Sequence, residues 1–144
     1  MNRERHRRLA MGVAAVRIAV GALLAIAPRA LDRGQPRPAT ASALLFTRTV
    51  GIRDLVLGLG TAAAAGSSQD ADLRRWVLAG TLSDTLDVVA ALAATRALGR
   101  RALVSALIPV PVILADLVVL AAHDRADGTP PGATTPSEPG VPAL

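Results

Sequence analysis

The chain has 144 residues, of which 51% are hydrophobic, and a formal net charge of +5 at pH 7. Its length predicts a single domain, and its mean hydropathy of +0.42 is high for a water-soluble protein. The absence of cysteine excludes disulfides, thiolate metal sites and cysteine nucleophiles, and two histidines are too few for a histidine-built metal centre. One Phe, one Trp and no Tyr leave little to stack on bases, so nucleic acid is not a predicted partner.

Four apolar segments follow one another along the chain and predict four membrane-spanning helices. They cover about residues 9–27, 40–65, 75–95 and 103–122. Roughly 20 helical residues cross the hydrocarbon layer of a bilayer, and each segment is long enough. Arginines cluster at the segment ends, as is typical of membrane spans, and no segment alternates apolar with polar residues as a barrel strand would.

The first segment also has the outline of a secretory signal peptide. A basic start precedes an apolar stretch that ends in AIA at residues 25–27. Arg17 interrupts that stretch, however, and Pro28 would directly follow the cut, which argues against cleavage. A retained first span is therefore the preferred interpretation.

The second segment contains FTRTVGIRDLVLGLG, residues 46–60, with three charges inside an apolar run. Helical spacing places Gly51, Asp54 and Gly58 on one stripe, as expected where membrane helices pack closely. Arg53 lies roughly 160° from Gly51 on the same helix, so we expect it to face another helix rather than to share the face of Asp54. GLGTAA, residues 58–63, matches a dinucleotide-binding fingerprint but lacks the strand that should precede it.

The third segment places Gly80, Asp84 and Asp87 on one stripe. Glycine lets two backbones approach, so Gly51, Gly58 and Gly80 are predicted sites of close helix packing. The fourth segment carries Asp116 and ends near His123, which we expect to be solvated at the membrane interface.

Two prolines lie near the start of the fourth segment, in the sequence IPVPVIL. Pro109 and Pro111 cannot donate backbone hydrogen bonds, so they predict a kink in this helix. From residue 125 onward the chain is rich in proline, glycine and threonine, which predicts a disordered tail over residues 125–144 and a membrane domain over residues 1–124.

A charged side chain in the middle of a bilayer costs at least ~2.5 kcal/mol, so charges within the segments should turn inward and pair. The predicted intramembrane charge network comprises Arg17, Arg48, Arg53, Asp54, Asp84, Asp87 and Asp116. Arg17 and Arg53 are the expected counter-ions of the acids in the third and fourth segments, whereas Arg48 is near enough to a span end to reach the interface. Three arginines face four aspartates, which leaves one carboxylate to bind a proton or a cation; the Asp84/Asp87 pair is the best candidate.

The sequence resembles an uncharacterised family of small four-span bacterial membrane proteins, common in actinobacteria and known as a domain of unknown function. The resemblance covers about residues 10–122 and is carried by VRIAVGALLAIAPRAL at 16–31, GIRDLVLGLG at 51–60 and DTLDVVAAL at 84–92. Its most specific element is Gly-x-Arg-Asp-x-x-Leu-Gly, matched by Gly51, Arg53, Asp54, Leu57 and Gly58. The resemblance implies a four-helix membrane bundle and brings no assigned reaction or cofactor.

These patterns together predict an all-α fold, a four-helix transmembrane bundle with up-down-up-down topology. The interpretation is a multi-pass protein of a bacterial inner membrane, with both termini in the cytoplasm because the first span usually dominates orientation. Its partners are the lipid bilayer and either further copies of the chain or a larger membrane complex. No catalytic, cofactor-binding or metal-binding residue is predicted.

Three functions remain open at this point. The first is a structural or accessory membrane protein in which the Arg/Asp network fixes how the helices pack. The second is a proton- or cation-linked transport module that uses the intramembrane aspartates. The third is a membrane enzyme acting on a lipid or quinone, which ranks last because the sequence shows no nucleophile or metal pattern.

Overall fold

The computed structural model describes residues 3–32, 39–67, 70–99, 103 and 106–127, and these residues contain helices and no strand. The helices are α1 (Arg3–Ile26), a 3₁₀ helix (Pro28–Asp32), α2 (Ala41–Gly66), α3 (Asp70–Ala93), the one-turn α4 (Thr95–Leu98) and α5 (Val110–Asp127). The prediction of an all-α fold is confirmed. Residues 128–144, which make up most of the predicted tail, lie outside the described residues, and α5 extends through the first three tail positions.

Local sequence explains where the long helices begin. The α2 helix starts after Thr40, whose hydroxyl accepts a hydrogen bond from the Ala43 backbone N–H at 3.2 Å. The α3 helix has Asp70 and Asp72 in its first turn, where negative charge offsets the positive end of the helix dipole. The α1 helix starts at Arg3, six residues before the predicted span, because arginine is a good helix former.

The fourth predicted span is not one continuous helix. Ala106 and Leu107 are helical, Ile108 and Pro109 form a bend, and α5 starts only at Val110. The Pro109 carbonyl accepts hydrogen bonds from the backbone N–H groups of the residues at 112 and 113. Pro111 therefore sits in the first turn, where its missing N–H is not needed, and the expected kink becomes a helix start.

The closest helix packing in the described chain joins α1 to α2. A Cβ atom added at Gly51 would lie 2.6 Å from the Ala25 backbone nitrogen, and one added at Gly21 would lie 2.5 Å from the Leu55 backbone nitrogen. Gly58 meets α1 one step further along, where an added Cβ would lie 3.0 Å from the Ala14 carbonyl oxygen. Three glycines thus bring the two backbones together along antiparallel helices.

The α3 and α5 helices pack beside this pair. The ring of Trp76 on α3 lies directly over Gly60 of α2, so that no side chain fits at that position. An apolar cluster closes one end of the bundle and draws on all four long helices: Ala10, Ala64, Ala65, Leu73, Val77 and Val119. At the same end Arg7 of α1 donates to the carbonyl oxygens of Ala65 and Ser67 and forms an ion pair with Asp70 at 2.5 Å.

The outer surface of the helices is apolar. Large hydrophobic side chains are exposed along each long helix, among them Val16, Val20, Leu23, Phe46, Ile52, Val56, Leu82, Leu86, Val89, Leu114 and Val118. Two helices are long and apolar enough to cross a membrane: Glu4–Ile26, with a mean hydropathy of 2.2, and Asp70–Ala97, with 1.5. By length and composition the described helices therefore support two of the four predicted spans.

Candidate functional site

Arg17 of α1 lies at the centre of a charge network that draws on all four long helices. Its side chain is only 5% exposed. The guanidinium donates to Asp84 of α3 at 2.5 and 3.4 Å and to Asp116 of α5 at 3.0 Å, and it lies 3.7 Å from a carboxylate oxygen of Asp54 of α2. One cation therefore holds acids from the three other helices together.

Arg53 of α2 forms the second half of the network. Its guanidinium donates to Asp54 at 2.9 and 3.3 Å and to Asp87 of α3 at 2.8 Å. It also lies 3.9 Å from Asp84, which joins the two halves. Arg53 and Asp87 are 29% and 35% exposed, so this half lies closer to the surface than the half around Arg17.

A glycine makes room for the buried half. A Cβ atom added at Gly80 would lie 2.9 Å from a terminal nitrogen of Arg17 and 3.3 Å from a carboxylate oxygen of Asp116. The guanidinium therefore occupies the volume that a side chain at this position would fill. Gly80 makes room for the Arg17 side chain, whereas Gly51 and Gly58 let α1 and α2 pack closely.

The structure brings six of the seven predicted network residues together and leaves one apart. Arg48 is exposed on α2 and faces a separate groove that it shares with Pro28 and Arg29. The expectation that Arg53 would turn away from Asp54 is wrong. Although the two positions point in different directions on the helix, the arginine side chain is long enough to fold back onto the adjacent carboxylate while it also reaches Asp87.

The charges in the network do not balance. Two guanidiniums share four carboxylates, and each carboxylate accepts a hydrogen bond from an arginine. The arrangement can hold four helices in register, and its excess of acid can take up a proton or a small cation. Among the residues that the structure describes, no group of three or more acidic or histidine side chains is placed to hold a metal ion.

His123 is not at a solvated edge as expected. It is buried on α5 beside the buried His6 of α1, and the two rings meet edge to face with their centroids 5.8 Å apart. The prediction was wrong because α1 extends past the predicted start of its span, so that its first turns cover the end of α5. Ser105, which a triad with His123 and Asp116 would require, lies outside the described residues.

Sequence analysis missed two residues that shape this interior. Gly21 belongs to the α1–α2 contact. It meets Gly51, which is 30 residues away in sequence, and no local pattern predicts that contact. One feature of the sequence does indicate Gly21: it lies four residues after Arg17, so a small residue and a buried charge share one face of α1. Trp76 was also missed, although a lone tryptophan in an apolar helix commonly marks a packing contact.

Comparison with protein-family models, with curated proteins and with solved structures finds no match for this chain. The resemblance to a four-span bacterial family therefore stays a prediction. The site is interpreted from its own geometry.

Proposed function

We propose that the protein is a four-span integral membrane protein of structural or accessory function, in which the Arg/Asp network locks the packing of the helices. The observation that carries this proposal is inverted polarity. Arg17, Asp84 and Asp116 are buried between the helices, while leucine, isoleucine and valine side chains cover the outside. A water-soluble bundle buries its apolar side chains, whereas a bundle in lipid gains by turning them outward.

The position of the network along the helices supports the same proposal. Arg17 is at position 15 of 24 in α1, and Asp84 is likewise at position 15 of 24 in α3. A helix of that length is roughly 36 Å long, so charges near its middle are too deep in a bilayer to reach water. Less than a quarter of each apolar window is buried inside the chain, at 22% and 17%, which is unlike the core helix of a soluble protein.

Helix pairing supports an up-down-up-down arrangement of the four spans. Arg7 contacts the end of α2 whereas Gly21, further along α1, contacts the middle of α2 at Gly51 and Leu55, so α1 and α2 run in opposite directions. Asp87 and Trp76 meet α2 in the same reversed order at Arg53 and Gly60. With Arg17 and His6 of α1 opposite Asp116 and His123 of α5, each long helix is antiparallel to its two neighbours.

Cysteine labelling tests on which side of the membrane the ends of α1, α2 and α3 lie, because the natural chain has no cysteine. We expect Ala97→Cys to react with a membrane-impermeant maleimide in intact bacteria, and Arg5→Cys and Gly66→Cys to react only after lysis. These three positions are exposed, so the substitutions leave the interior intact. Equal labelling of Gly66→Cys and Ala97→Cys in intact cells, or release of the protein by alkaline carbonate, contradicts the proposal.

The acid excess of the network favours a second candidate, a proton- or cation-linked transport module. Four carboxylates share two guanidiniums, and the half that contains Asp87 is the more exposed one. Asp87 also lies three residues, roughly 4.5 Å, nearer than Asp84 to the end of α3, so it is the carboxylate of α3 best placed to exchange a proton or cation with water. This candidate has the same membrane fold, but in it the network carries protons or cations across the membrane.

Flux into liposomes distinguishes the second candidate from the first. If the network transports, purified protein raises proton or cation flux above that of empty liposomes, and Asp87→Asn abolishes the increase because the exchanging carboxylate is gone. Asp72→Asn is the matched control, since that acid lies in the first turn of α3 and, within the described part of the chain, pairs with exposed Arg75 alone. A wild-type flux equal to that of empty liposomes, or one unchanged by Asp87→Asn, eliminates transport through this residue.

A further inference from the structure

The 3₁₀ helix that follows α1 and the beginning of α2 form a groove with two arginines in its lining. Its volume is about 230 Å³, and it is lined by Pro28, Arg29, Ala41, Leu44, Leu45 and Arg48. We propose that this groove binds an anionic phospholipid, with the phosphate between Arg29 and Arg48 and the first part of an acyl chain against the leucines. The proposal rests on the membrane-embedded bundle proposed above.

Charge is the first argument for this occupant. None of the lining residues is acidic. Among the described residues, no carboxylate forms an ion pair with Arg29 or Arg48, whereas Arg17 and Arg53 are each bound to two or more aspartates. Two uncompensated guanidiniums on one groove call for an anion, and a guanidinium binds phosphate through paired N–H donors.

The remaining lining is the second argument, because it is apolar. Apart from the two arginines, the lining residues are Pro28, Ala41, Leu44 and Leu45, and none of these has a polar side chain. A free phosphate ion gains nothing from such a lining. A phospholipid interacts favourably with both the arginines and the apolar lining. Its phosphate binds the arginines, and the hydrocarbon next to its headgroup is removed from water when it packs against the leucines.

Depth in the bilayer is the third argument. Arg48 is seven residues after the start of α2 at Ala41, a rise of roughly 10 Å, and five residues before the network residue Arg53. A flexible arginine at this depth extends its charge towards the headgroups while its methylenes stay in the apolar layer. Arg29 follows α1 in the 3₁₀ helix, so both cations reach the level of the lipid phosphates.

Native mass spectrometry of the full chain in detergent tests the site. The protein is incubated with equal amounts of phosphatidylglycerol and phosphatidylcholine that have the same acyl chains, and the retained lipid is measured. We expect preferential retention of phosphatidylglycerol by the wild type. Arg29→Gln and Arg48→Gln should each weaken it about fivefold, and the double variant should abolish the preference.

Arg96→Gln is the matched control, because it removes an exposed arginine from α4, at the same end of the bundle. It should leave retention unchanged. Equal retention of the two lipids by the wild type, an equal loss in the control, or displacement of the lipid by millimolar inorganic phosphate would overturn the lipid site. A protein that stays in carbonate-washed membranes but shows no lipid preference loses only this inference, whereas one that washes off loses the proposed function.

Discussion

Replacing Arg17 with methionine is expected to lower the free energy of unfolding by about 3 to 5 kcal/mol, the largest effect of any single change in the network. The guanidinium is buried and donates to both Asp84 and Asp116, which are themselves buried. Methionine fills a similar volume but leaves Asp116 without a counter-ion, and Asp84 with only Arg53 at 3.9 Å, in an interior that water does not reach. Unfolding in mixed micelles with increasing SDS, followed by the fluorescence of the single tryptophan, Trp76, measures the change.

Neutralising Asp84 and Asp116 in the Arg17→Met variant separates the electrostatic part of the loss from the packing part. Adding Asp84→Asn and Asp116→Asn to Arg17→Met should restore at least half of the lost stability, because the buried groups are then neutral. Arg96→Gln removes an exposed arginine and should change the free energy of unfolding by less than about 0.5 kcal/mol. A loss below about 1 kcal/mol for Arg17→Met would show that the network does not hold the helices together.

Gly21→Ala should destabilise the protein by about 1 to 3 kcal/mol, although alanine is the better helix former. The added methyl group would lie 2.5 Å from the Leu55 backbone nitrogen and 2.7 Å from the Gly51 carbonyl oxygen. Both are backbone atoms of α2, so the clash can be relieved only by moving a whole helix. The same SDS titration reports the loss.

Gly12→Ala on the same helix is the matched control for this prediction. An added Cβ atom at Gly12 has no heavy atom within 4 Å, so the substitution should be neutral or should stabilise by up to about 1 kcal/mol. If Gly21→Ala lowers the free energy of unfolding and Gly12→Ala raises it, the α1–α2 contact lies at Gly21 and not at Gly12. If Gly21→Ala matches Gly12→Ala, the two helices do not approach as closely as the structure places them.

Membership of the network could be predicted from sequence more fully than its pairing. Arg17, Arg53 and the four aspartates interrupt apolar runs, and the cost of a charge in such a run indicates that it must turn inward. Which arginine meets which acid depends on how far each helix is rotated and shifted against the others. Arg53 illustrates the limit: its helical angle predicted a partner on another helix, which Asp87 is, but did not show that the side chain is long enough to bind Asp54 as well.

Arg48 is a second example. The sequence placed it near enough to a span end to reach the interface, but only the structure brings Arg29 beside it, with no acidic residue in the lining of the groove that they share. His123 was misplaced for a related reason. Its burial comes from the first turns of α1, a contact between residues more than 100 positions apart that no local pattern records.

The sequence alone determined that this chain is helical, that its apolar segments are long, and that charges lie within them, because helical period and the cost of burying charge act locally. The arrangement of the helices in space was needed to show that Arg17 joins acids from three helices, that Gly21 completes the α1–α2 contact, and that Arg48 lies outside the network. These outcomes depend on the distances and rotations between helices, which are set by the packing of all four at once.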